Sequence, residues 1–188
     1  TFIAPGQKRQ RLNQILGSLH QQAPHPVDVI ELEKGAPFGA VIVDAAGCTL
    51  CLSCVNACPA KALRDNPDAP ELRFEESNCI QCGLCQTTCP ENVINLKTQI
   101  DFKAIAGQAV ILKQEEPFHC IRCDKPFGVG STIEKMIEKM STHSMFQEPK
   151  SLDRLRMCDD CRVIDMAEGE DHPWASKQRA TKTTEDYL

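Results

Sequence analysis

Aromatic residues are scarce in this chain of 188 residues. They make up 5% of the sequence, with a single Trp and a single Tyr, although 41% of the residues are hydrophobic. Large aromatic side chains supply much of the buried area of ordinary cores, so the core built from this composition is thin for its length. Metal binding can supply the missing stability, because it then contributes directly to the free energy of folding. We therefore expect residues 48–90, which hold eight cysteines, to be largely unfolded without metal.

Long apolar runs and a net positive charge are lacking too. No stretch reaches the 18 or so apolar residues of a membrane span, and no secretory signal pattern follows Thr1. The net charge of −5 argues against nucleic-acid binding, which needs a basic face. It is compatible with docking to a basic patch on a redox partner. The sequence also lacks an acid–base pair, a catalytic triad and a phosphate-binding loop, so we predict that the chain is not itself an enzyme.

Cysteine is abundant, and eight of the twelve cysteines form a repeat. A C-x2-C-x2-C-x3-C-P motif ends at Pro59 and recurs 31 positions later, ending at Pro90. This spacing is typical of thiolates that hold [4Fe-4S] clusters, and where two clusters are present the fourth cysteine binds the other one. Zinc binding or disulfides are the alternatives. The prediction is one cluster on Cys48, Cys51, Cys54 and Cys89, and a second on Cys79, Cys82, Cys85 and Cys58.

The spacing also constrains the local structure of each motif. On an α-helix, a step of three residues turns by about 300° and climbs about 4.5 Å, so three such cysteines could not converge on one cluster. Each run should therefore be a loop that turns backbone N–H groups toward the sulfurs. We interpret the Cys58-Pro59 and Cys89-Pro90 pairs as helix starts, with proline at the first helical position.

Residues 36–98 resemble a bacterial-type two-cluster ferredoxin domain, through the two motifs, their repeat and the strands that flank them. The resemblance implies a buried strand at residues 40–43 that pairs with residues 93–96. Between the motifs we predict a short helix at residues 59–63 and a hairpin of residues 62–63 against residues 72–74.

The last four cysteines form two CxxC pairs, Cys120 with Cys123 and Cys158 with Cys161. Two such pairs are the usual ligands of a closed tetrahedral zinc site, so we predict zinc. A single iron, as in rubredoxins, needs the same ligands, but rubredoxin knuckles usually carry glycine where Asp124 and Arg162 stand here. A third cubane is the other alternative, although the three-cysteine run and its proline are missing. We interpret His119 as a surface or neighbouring residue and not as a ligand.

The predicted fold class is α+β, a two-cluster ferredoxin-like domain with small helical extensions and a C-terminal CxxC/CxxC zinc-binding module. An amphipathic helix with Leu12, Ile15 and Leu19 on one face is expected near the start, and a capping box at Ser131 should open a later helix. The predicted segments are 1–35 for the N-terminal helix and lead-in, 36–98 for the ferredoxin-like domain, 99–167 for the four-cysteine module and 168–188 for a polar tail.

The chemistry that these motifs offer is single-electron transfer. We therefore predict an electron-transfer iron–sulfur protein or subunit that connects a catalytic oxidoreductase subunit with another redox partner. The layout also resembles the iron–sulfur subunits of molybdenum- or tungsten-dependent enzymes such as formate dehydrogenases, although those usually hold four cubanes. We predict a hetero-oligomer with redox subunits. The clusters indicate a reducing setting, so the expected location is the cytoplasm or the cytoplasmic side of a membrane complex. The alternative function is a structural or redox-sensing iron–sulfur and zinc scaffold.

Overall fold

The computed structural model of the chain describes residues 8–143, 146 and 149–168. These residues form two compact units. The first unit holds the described residues up to 117 together with 128–132, and the second holds 118–127 and the described residues from 133 onward. The four-segment division of the sequence remains a prediction. Its polar tail, apart from Glu168, lies outside the described residues.

A three-stranded antiparallel sheet joins the two ends of the cysteine repeat. It consists of β1 (Val29–Glu31), β2 (Gly39–Val43) and β5 (Ile94–Asp101), in the order β1-β5-β2. Val43 lies opposite Ile94 and Val41 opposite Leu96, which confirms the pairing expected for the strands that flank the motifs. The sheet therefore brings the entry to the first motif next to the exit from the second.

A second antiparallel sheet lies between and beyond the motifs. Strand β3 (Leu63–Asn66) forms a hairpin with β4 (Ala69–Phe74), and β6 (Val110–Gln114) pairs with the other edge of β4. Leu63 lies opposite Phe74, so the predicted hairpin is confirmed. Strand β6 comes from the segment assigned to the four-cysteine module, yet it completes a sheet of the first unit.

Two five-residue helices occupy equivalent positions in the motifs. They are α2 (Ser53–Ala57) and α3 (Leu84–Thr88), each ending at the fourth cysteine of its motif. Cys58 has φ −81° and ψ 104°, and Cys89 has φ −68° and ψ 114°. The prediction that the Cys-Pro pairs begin helices is therefore wrong, as is the helix predicted at residues 59–63. Proline disfavours the helical conformation of the residue before it, so each pair ends a helix.

The hydrophobic core of the first unit includes cysteines of both motifs. Cys54, Cys79 and Cys85 are each exposed by no more than 8%. They pack in one cluster with Val41, Leu50, Ala62, Leu63, Leu72, Phe74 and Ile94. Complete burial of a large aliphatic or aromatic side chain stabilises a fold by about 1.5–3 kcal/mol. The sheets and the motif loops share this core, so the packing of one supports the geometry of the other.

The N-terminal helix α1 (Lys8–Gln22) confirms the helix expected near the start of the chain. It packs against α4 (Phe102–Ala106), whose first turn is capped by the Asp101 carboxylate. The His20 ring stacks on Phe102 at 4.1 Å between ring centroids. The helix is thus attached to the first unit at the end of β5.

The second unit contains a β-hairpin region and short helices. Strands β7 (Pro117–His119) and β8 (Pro126–Val129) form a two-stranded sheet, of which residues 118–127 belong to this unit. Helix α6 (Pro149–Asp153) precedes α7 (Asp159–Glu168). The Arg154 guanidinium contacts the Asp165 carboxylate at 2.6 Å. This ion pair connects the turn after α6 to the last described helix.

The capping box predicted at Ser131 is wrong. Helix α5 (Gly130–Met140) already includes Ser131, whose backbone N–H donates to the Glu115 carboxylate at 3.2 Å. The Ser131 hydroxyl is buried and has no hydrogen-bond partner among the described residues. A carboxylate from a distant part of the chain thus takes the role that the local sequence pattern suggested for the serine.

Within the part of the chain that the structure describes, no helix combines the length and the apolar character needed to cross a membrane.

The start of β2 generates a stability prediction. Gly39 has φ +155°, and a Cβ there would lie 2.1 Å from the Lys97 carbonyl oxygen and 2.8 Å from the Gln81 side-chain nitrogen. The carbonyl belongs to the paired strand β5 and cannot move without disturbing the sheet. We expect Gly39→Ala to destabilise the protein by about 1–3 kcal/mol, seen as a lower midpoint of thermal unfolding by circular dichroism of anaerobically prepared protein.

Gly17→Ala is the matched control for this substitution. Gly17 lies inside α1, and a Cβ there would meet no heavy atom within 4 Å. Because glycine in a helix interior is less favourable than alanine by roughly 1 kcal/mol, this variant should unfold at a higher temperature than the wild type. Equal midpoints for Gly39→Ala and the wild type would contradict the packing described here.

Candidate iron–sulfur and metal sites

Two cavities of similar size lie in the described part of the first unit. Cavity one encloses about 350 Å³, part of it open to solvent, and cavity two about 340 Å³ on the same measure. The cysteines in the wall of cavity one are Cys48, Cys51, Cys54 and Cys89. Those in the wall of cavity two are Cys58, Cys79, Cys82 and Cys85. The structure thus brings together the same two sets of four cysteines that the sequence analysis grouped, each with one member from the other motif.

The walls of both cavities are otherwise largely apolar. Leu50, Leu72 and Ile94 contribute to cavity one, and Val41 and Phe74 to cavity two, all of them buried. Such walls keep water away from the space between the sulfurs, and an apolar surrounding influences the redox potential of a metal site.

Left-handed backbone at repeated positions curls each motif around its cavity. In the first motif region Leu50, Leu52 and Lys61 have φ between 52° and 57°, and in the second Gln81, Gly83 and Asn92 have φ of 54°, 80° and 56°. Each residue of the first set lies 31 positions before its counterpart in the second set, and this separation equals the offset of the motifs. A non-glycine residue in this conformation costs about 1–3 kcal/mol and persists only where its surroundings require it. The two halves therefore share one strained backbone path.

Hydrogen-bond donors approach the sulfurs, as the loop geometry predicted. The Ala62 backbone N–H donates to Cys58 Sγ at 3.3 Å. In the second motif the Gln81 side-chain amide donates to Cys79 Sγ at 3.5 Å. Donors in these positions stabilise a thiolate, and hydrogen bonds to sulfur tune the potential of an iron–sulfur cluster.

Burial makes the central thiols weak acids in the metal-free chain. Removal from water, with the neighbouring Cys48 and Cys51 as a smaller cause, raises the pKa of Cys54 to about 12. Burial, and next the proximity of Cys79, raises the pKa of Cys85 to about 11. A charge on Cys85 also contributes to the raised pKa of Cys54, so these two residues, one from each cavity, are close neighbours. Metal ligands must be deprotonated, so binding at either cavity releases protons.

The donor sets of the two cavities fit a cubane. All eight cysteines are free thiols, which rules out the disulfide alternative. Among the described residues, none of these eight belongs to a group of three or more possible ligand atoms lying within 4.8 Å of one another. In a cubane each thiolate binds a different iron, so wider separation of the sulfurs is what the cluster requires.

The second unit contains a tighter group of cysteines. The sulfurs of Cys120, Cys123, Cys158 and Cys161 all lie within 4.8 Å of one another. Cys123 Sγ and Cys158 Sγ are 3.7 Å apart. For four sulfurs at about 2.3 Å from one metal ion, tetrahedral geometry requires sulfur–sulfur distances of about 3.8 Å. The group therefore matches a single tetrahedral ion.

Two different local structures present these four cysteines. Between β7 and β8, the Cys120 N–H donates to the Lys125 carbonyl at 3.0 Å, and the Asp124 N–H donates to the Cys120 carbonyl at 2.9 Å. The second pair, Cys158 and Cys161, lies at the beginning of α7. The Cys158 N–H donates to Cys120 Sγ at 3.3 Å, so the two pairs are joined even before a metal is considered.

The acidity of these thiols is uneven. Desolvation opposes ionisation of Cys120, but backbone N–H groups of Cys158, Arg122 and Cys123 outweigh it and lower the pKa of Cys120 to about 6. Hydrogen bonding to Cys123, followed by burial, raises the pKa of Cys161 to about 12. The Cys120 thiolate therefore forms readily near neutral pH, whereas Cys161 keeps its proton unless a cation replaces it.

Asp124 stands at the position after Cys123 where rubredoxins usually have glycine. Its φ is 60°, the left-handed conformation in which glycine is usually favoured. The knuckle thus adopts this turn without glycine, and the residue type at this position does not distinguish zinc from a single iron. His119 lies outside the cysteine group, 55% exposed in its side chain, with Nδ1 3.0 Å from the Asp124 carbonyl oxygen.

The sequence analysis missed the roles of Arg9 and Gln81. The Arg9 guanidinium donates to the carbonyl oxygens of Ser77, Pro37 and Cys79 at 2.9, 2.7 and 2.7 Å. It also lies 3.9 Å from the centre of the Phe38 ring. A basic residue at the start of a helix gives no signal of such contacts. For Gln81, alignment of the two motifs at their 31-residue offset would have marked it as the counterpart of Leu50.

Comparison with known proteins supports this description of the motif region. Residues 47–94 match the family model of a 4Fe-4S dicluster domain. The chain is 29% identical over 80 residues to the ferredoxin-type protein NapH of Haemophilus influenzae. It is 34% identical over 65 residues to one of the subunits of the ion-translocating oxidoreductase complex of Methanosarcina acetivorans.

The extent of these similarities is limited. They cover 36% and 35% of this chain, and 28% and 23% of the two relatives, so the chain spans about a quarter of the length of the curated relatives that it matches. One relative is named a ferredoxin-type protein and the other a subunit of an oxidoreductase complex. Residues 47–94 are therefore a ferredoxin-type 4Fe-4S domain.

Proposed function

We propose that this protein carries single electrons through two [4Fe-4S] clusters, between a catalytic oxidoreductase subunit and another redox partner. The observation that carries the proposal is the pair of cavities, each with four free cysteines in its wall. Cys48, Cys51, Cys54 and Cys89 would hold one cluster, and Cys79, Cys82, Cys85 and Cys58 the other. When bound, such clusters take up and release one electron at a time.

The protein's own residues hold, shield and connect the two sites. Leu50, Leu72 and Phe74 exclude water from the cavities. Helices α2 and α3 pack together and bring Cys54 of one cavity next to Cys85 of the other. Cys51 and Cys82 are exposed, so each cavity has a ligand at the protein surface, where a donor or an acceptor could approach.

The four cysteines of the second unit are proposed to bind a structural zinc ion. The 3.7 Å distance between Cys123 Sγ and Cys158 Sγ supports a single tetrahedral ion over a third cubane. Zinc is preferred over iron because it is redox-inert and four cysteines close its coordination sphere. In this role the ion stabilises the unit and takes no part in electron transfer.

The proposed partners are protein subunits of a redox complex. The relatives named as a ferredoxin-type protein and as part of an ion-translocating oxidoreductase complex support this class of partner. A molybdenum- or tungsten-dependent oxidoreductase such as formate dehydrogenase is the specific candidate, on the resemblance of the layout. The proposed location is the cytoplasm or the cytoplasmic side of a membrane complex, where reducing conditions keep the twelve thiols free.

A redox titration tests the electron-transfer role against the alternative of a structural or redox-sensing scaffold. We expect anaerobically prepared protein to show reversible one-electron reduction of two clusters by electron paramagnetic resonance. Two clusters that never reduce reversibly would support the scaffold and exclude the proposed role.

Paired substitutions test which cysteines share a cluster. Cys58→Ala with Cys82→Ala should remove only the cluster of cavity two and leave about four irons per chain. Cys58→Ala with Cys51→Ala should remove both clusters, because these two residues lie in different cavities. The reverse pattern of iron contents would show that each motif binds its own cluster. Bound zinc serves as the internal measure of an intact second unit.

Metal analysis tests the identity of all three sites. Anaerobic protein should contain about eight irons, eight acid-labile sulfides and one zinc per chain. About twelve irons would indicate a third cubane instead of zinc, and about nine irons without zinc would indicate a rubredoxin-like centre. Removal of the zinc with a chelator should unfold the second unit and leave the visible absorption of the clusters unchanged.

A further inference from the structure

We propose that the side chains around cavity two hold its cluster at a higher reduction potential than the cluster of cavity one. An electron shared by the two sites would then reside at cavity two. The inference rests on the proposed function, because it needs both clusters. The cavities are nearly equal in size, and the motif backbones repeat at an offset of 31 residues. A difference in potential must therefore come from side chains that break the repeat.

The first such difference is the pair Gln81 and Leu50. The Gln81 side-chain amide donates to Cys79 Sγ at 3.5 Å and to the Ala40 carbonyl oxygen at 3.1 Å. The bond to the carbonyl defines the orientation of the amide, since its oxygen would otherwise face another acceptor. Leu50 occupies the same left-handed position in the first motif, is 3% exposed and has no side-chain donor. Cavity two therefore has an N–H···S bond that cavity one lacks at this position.

The second difference is the placement of cations. At cavity two, Arg9 donates to the carbonyl oxygen of the ligand Cys79 at 2.7 Å, and its other hydrogen-bond acceptors are carbonyl oxygens too. At cavity one, Lys113 acts on Cys48, but its ammonium group is 2.8 Å from the Glu115 carboxylate. The charge of Lys113 is thus largely compensated. Within the described part of the chain, the acceptors of Arg9 are three carbonyl oxygens and no carboxylate.

The third difference is an acidic side chain. Glu91 is part of the wall of cavity one, and its counterpart in the repeat, Ala60, is part of the wall of cavity two. Cavity one therefore has a carboxylate at a position where cavity two has a methyl group.

These three differences act in the same direction. One difference opposes them, because the side chains of Thr49 and Ser53 hydrogen-bond to the Cys51 sulfur at cavity one, where Ile80 and Leu84 are the counterparts at cavity two. Cys51 is exposed, so water can supply the same hydrogen bonds and the effect of these two side chains is smaller. Reduction adds one negative charge to a bound cluster, and donors or cations nearby stabilise that charge and raise the potential. A carboxylate nearby destabilises it and lowers the potential. One electron would thus leave the cluster at cavity one and be taken up by the cluster at cavity two. This transfer oxidises the first cluster and reduces the second, and it moves no proton. Helices α2 and α3, which contain Cys54 and Cys85, pack against each other and provide the route.

The test is an anaerobic redox titration with dithionite, followed by electron paramagnetic resonance. Iron and sulfide analysis comes first and must show two clusters per chain. The wild type should have two distinct midpoints. Gln81→Leu should lower only the higher one, because one hydrogen bond is lost. We expect at most about a tenfold change in the ratio of reduced to oxidised cluster at a given potential, which corresponds to ~59 mV for one electron.

Two further variants complete the test. Glu91→Gln keeps the shape of the side chain, removes its charge and should raise only the lower midpoint. Gln86→Leu is the matched control, since Gln86 is the exposed glutamine of α3, and it should shift neither midpoint. If the Gln81→Leu protein does not bind two clusters, the test rests on Glu91→Gln, through the shift of the lower midpoint that it predicts.

Three results would overturn the inference while leaving the proposed function intact. They are a single common midpoint in the wild type, a shift of the lower midpoint by Gln81→Leu, and a shift of the higher midpoint by Glu91→Gln. Fewer than two clusters in the wild type would instead refute the proposed function, and the inference with it.

Discussion

The first unit depends on gathering eight thiols into two small apolar cavities. Burial raises the pKa of Cys54 to about 12 and of Cys85 to about 11, so without metal these sulfurs remain protonated groups in an otherwise hydrophobic core. The backbone adds to the cost, because five non-glycine residues around the motifs are left-handed, at about 1–3 kcal/mol each. Ligation by metal offsets both costs, since it replaces the protons and satisfies the sulfurs. We therefore expect folding and cofactor binding to be coupled in this unit.

The internal repeat explains both the similarity and the asymmetry of the two sites. An offset of 31 residues relates the short helices, the left-handed residues and the Cys-Pro pairs. The backbone path is consequently the same twice, and the fourth cysteine of each half reaches the cavity of the other. Side chains are free to differ on this repeated path. Leu50 and Gln81 occupy the same position but offer different chemistry to the neighbouring sulfur.

Much of the candidate site could be predicted from spacing, and the parts that could not have physical reasons. The crossed grouping of cysteines and the pairing of β2 with β5 depend on the repeat and on apolar strands, which are legible in the sequence. The ends of the helices were harder to predict, because proline is favourable in the first turn of a helix but disfavours helical conformation in the preceding residue. For Cys58 and Cys89 the second effect prevails. At Ser131 the local capping pattern is overridden by Glu115, which lies 16 residues earlier.

The sequence by itself determined which cysteines could be grouped around a common site, because cysteine spacing restricts the loops that can surround a cluster. It also determined the antiparallel strands, through short apolar runs on either side of the motifs. Only the tertiary structure decided what surrounds the sulfurs: the Arg9 contact with Cys79, the Gln81 bond to its sulfur and the 3.7 Å approach of Cys123 to Cys158. No periodic pattern in the sequence relates the residues that make these contacts, and each contact arises only when the elements of its own unit pack together.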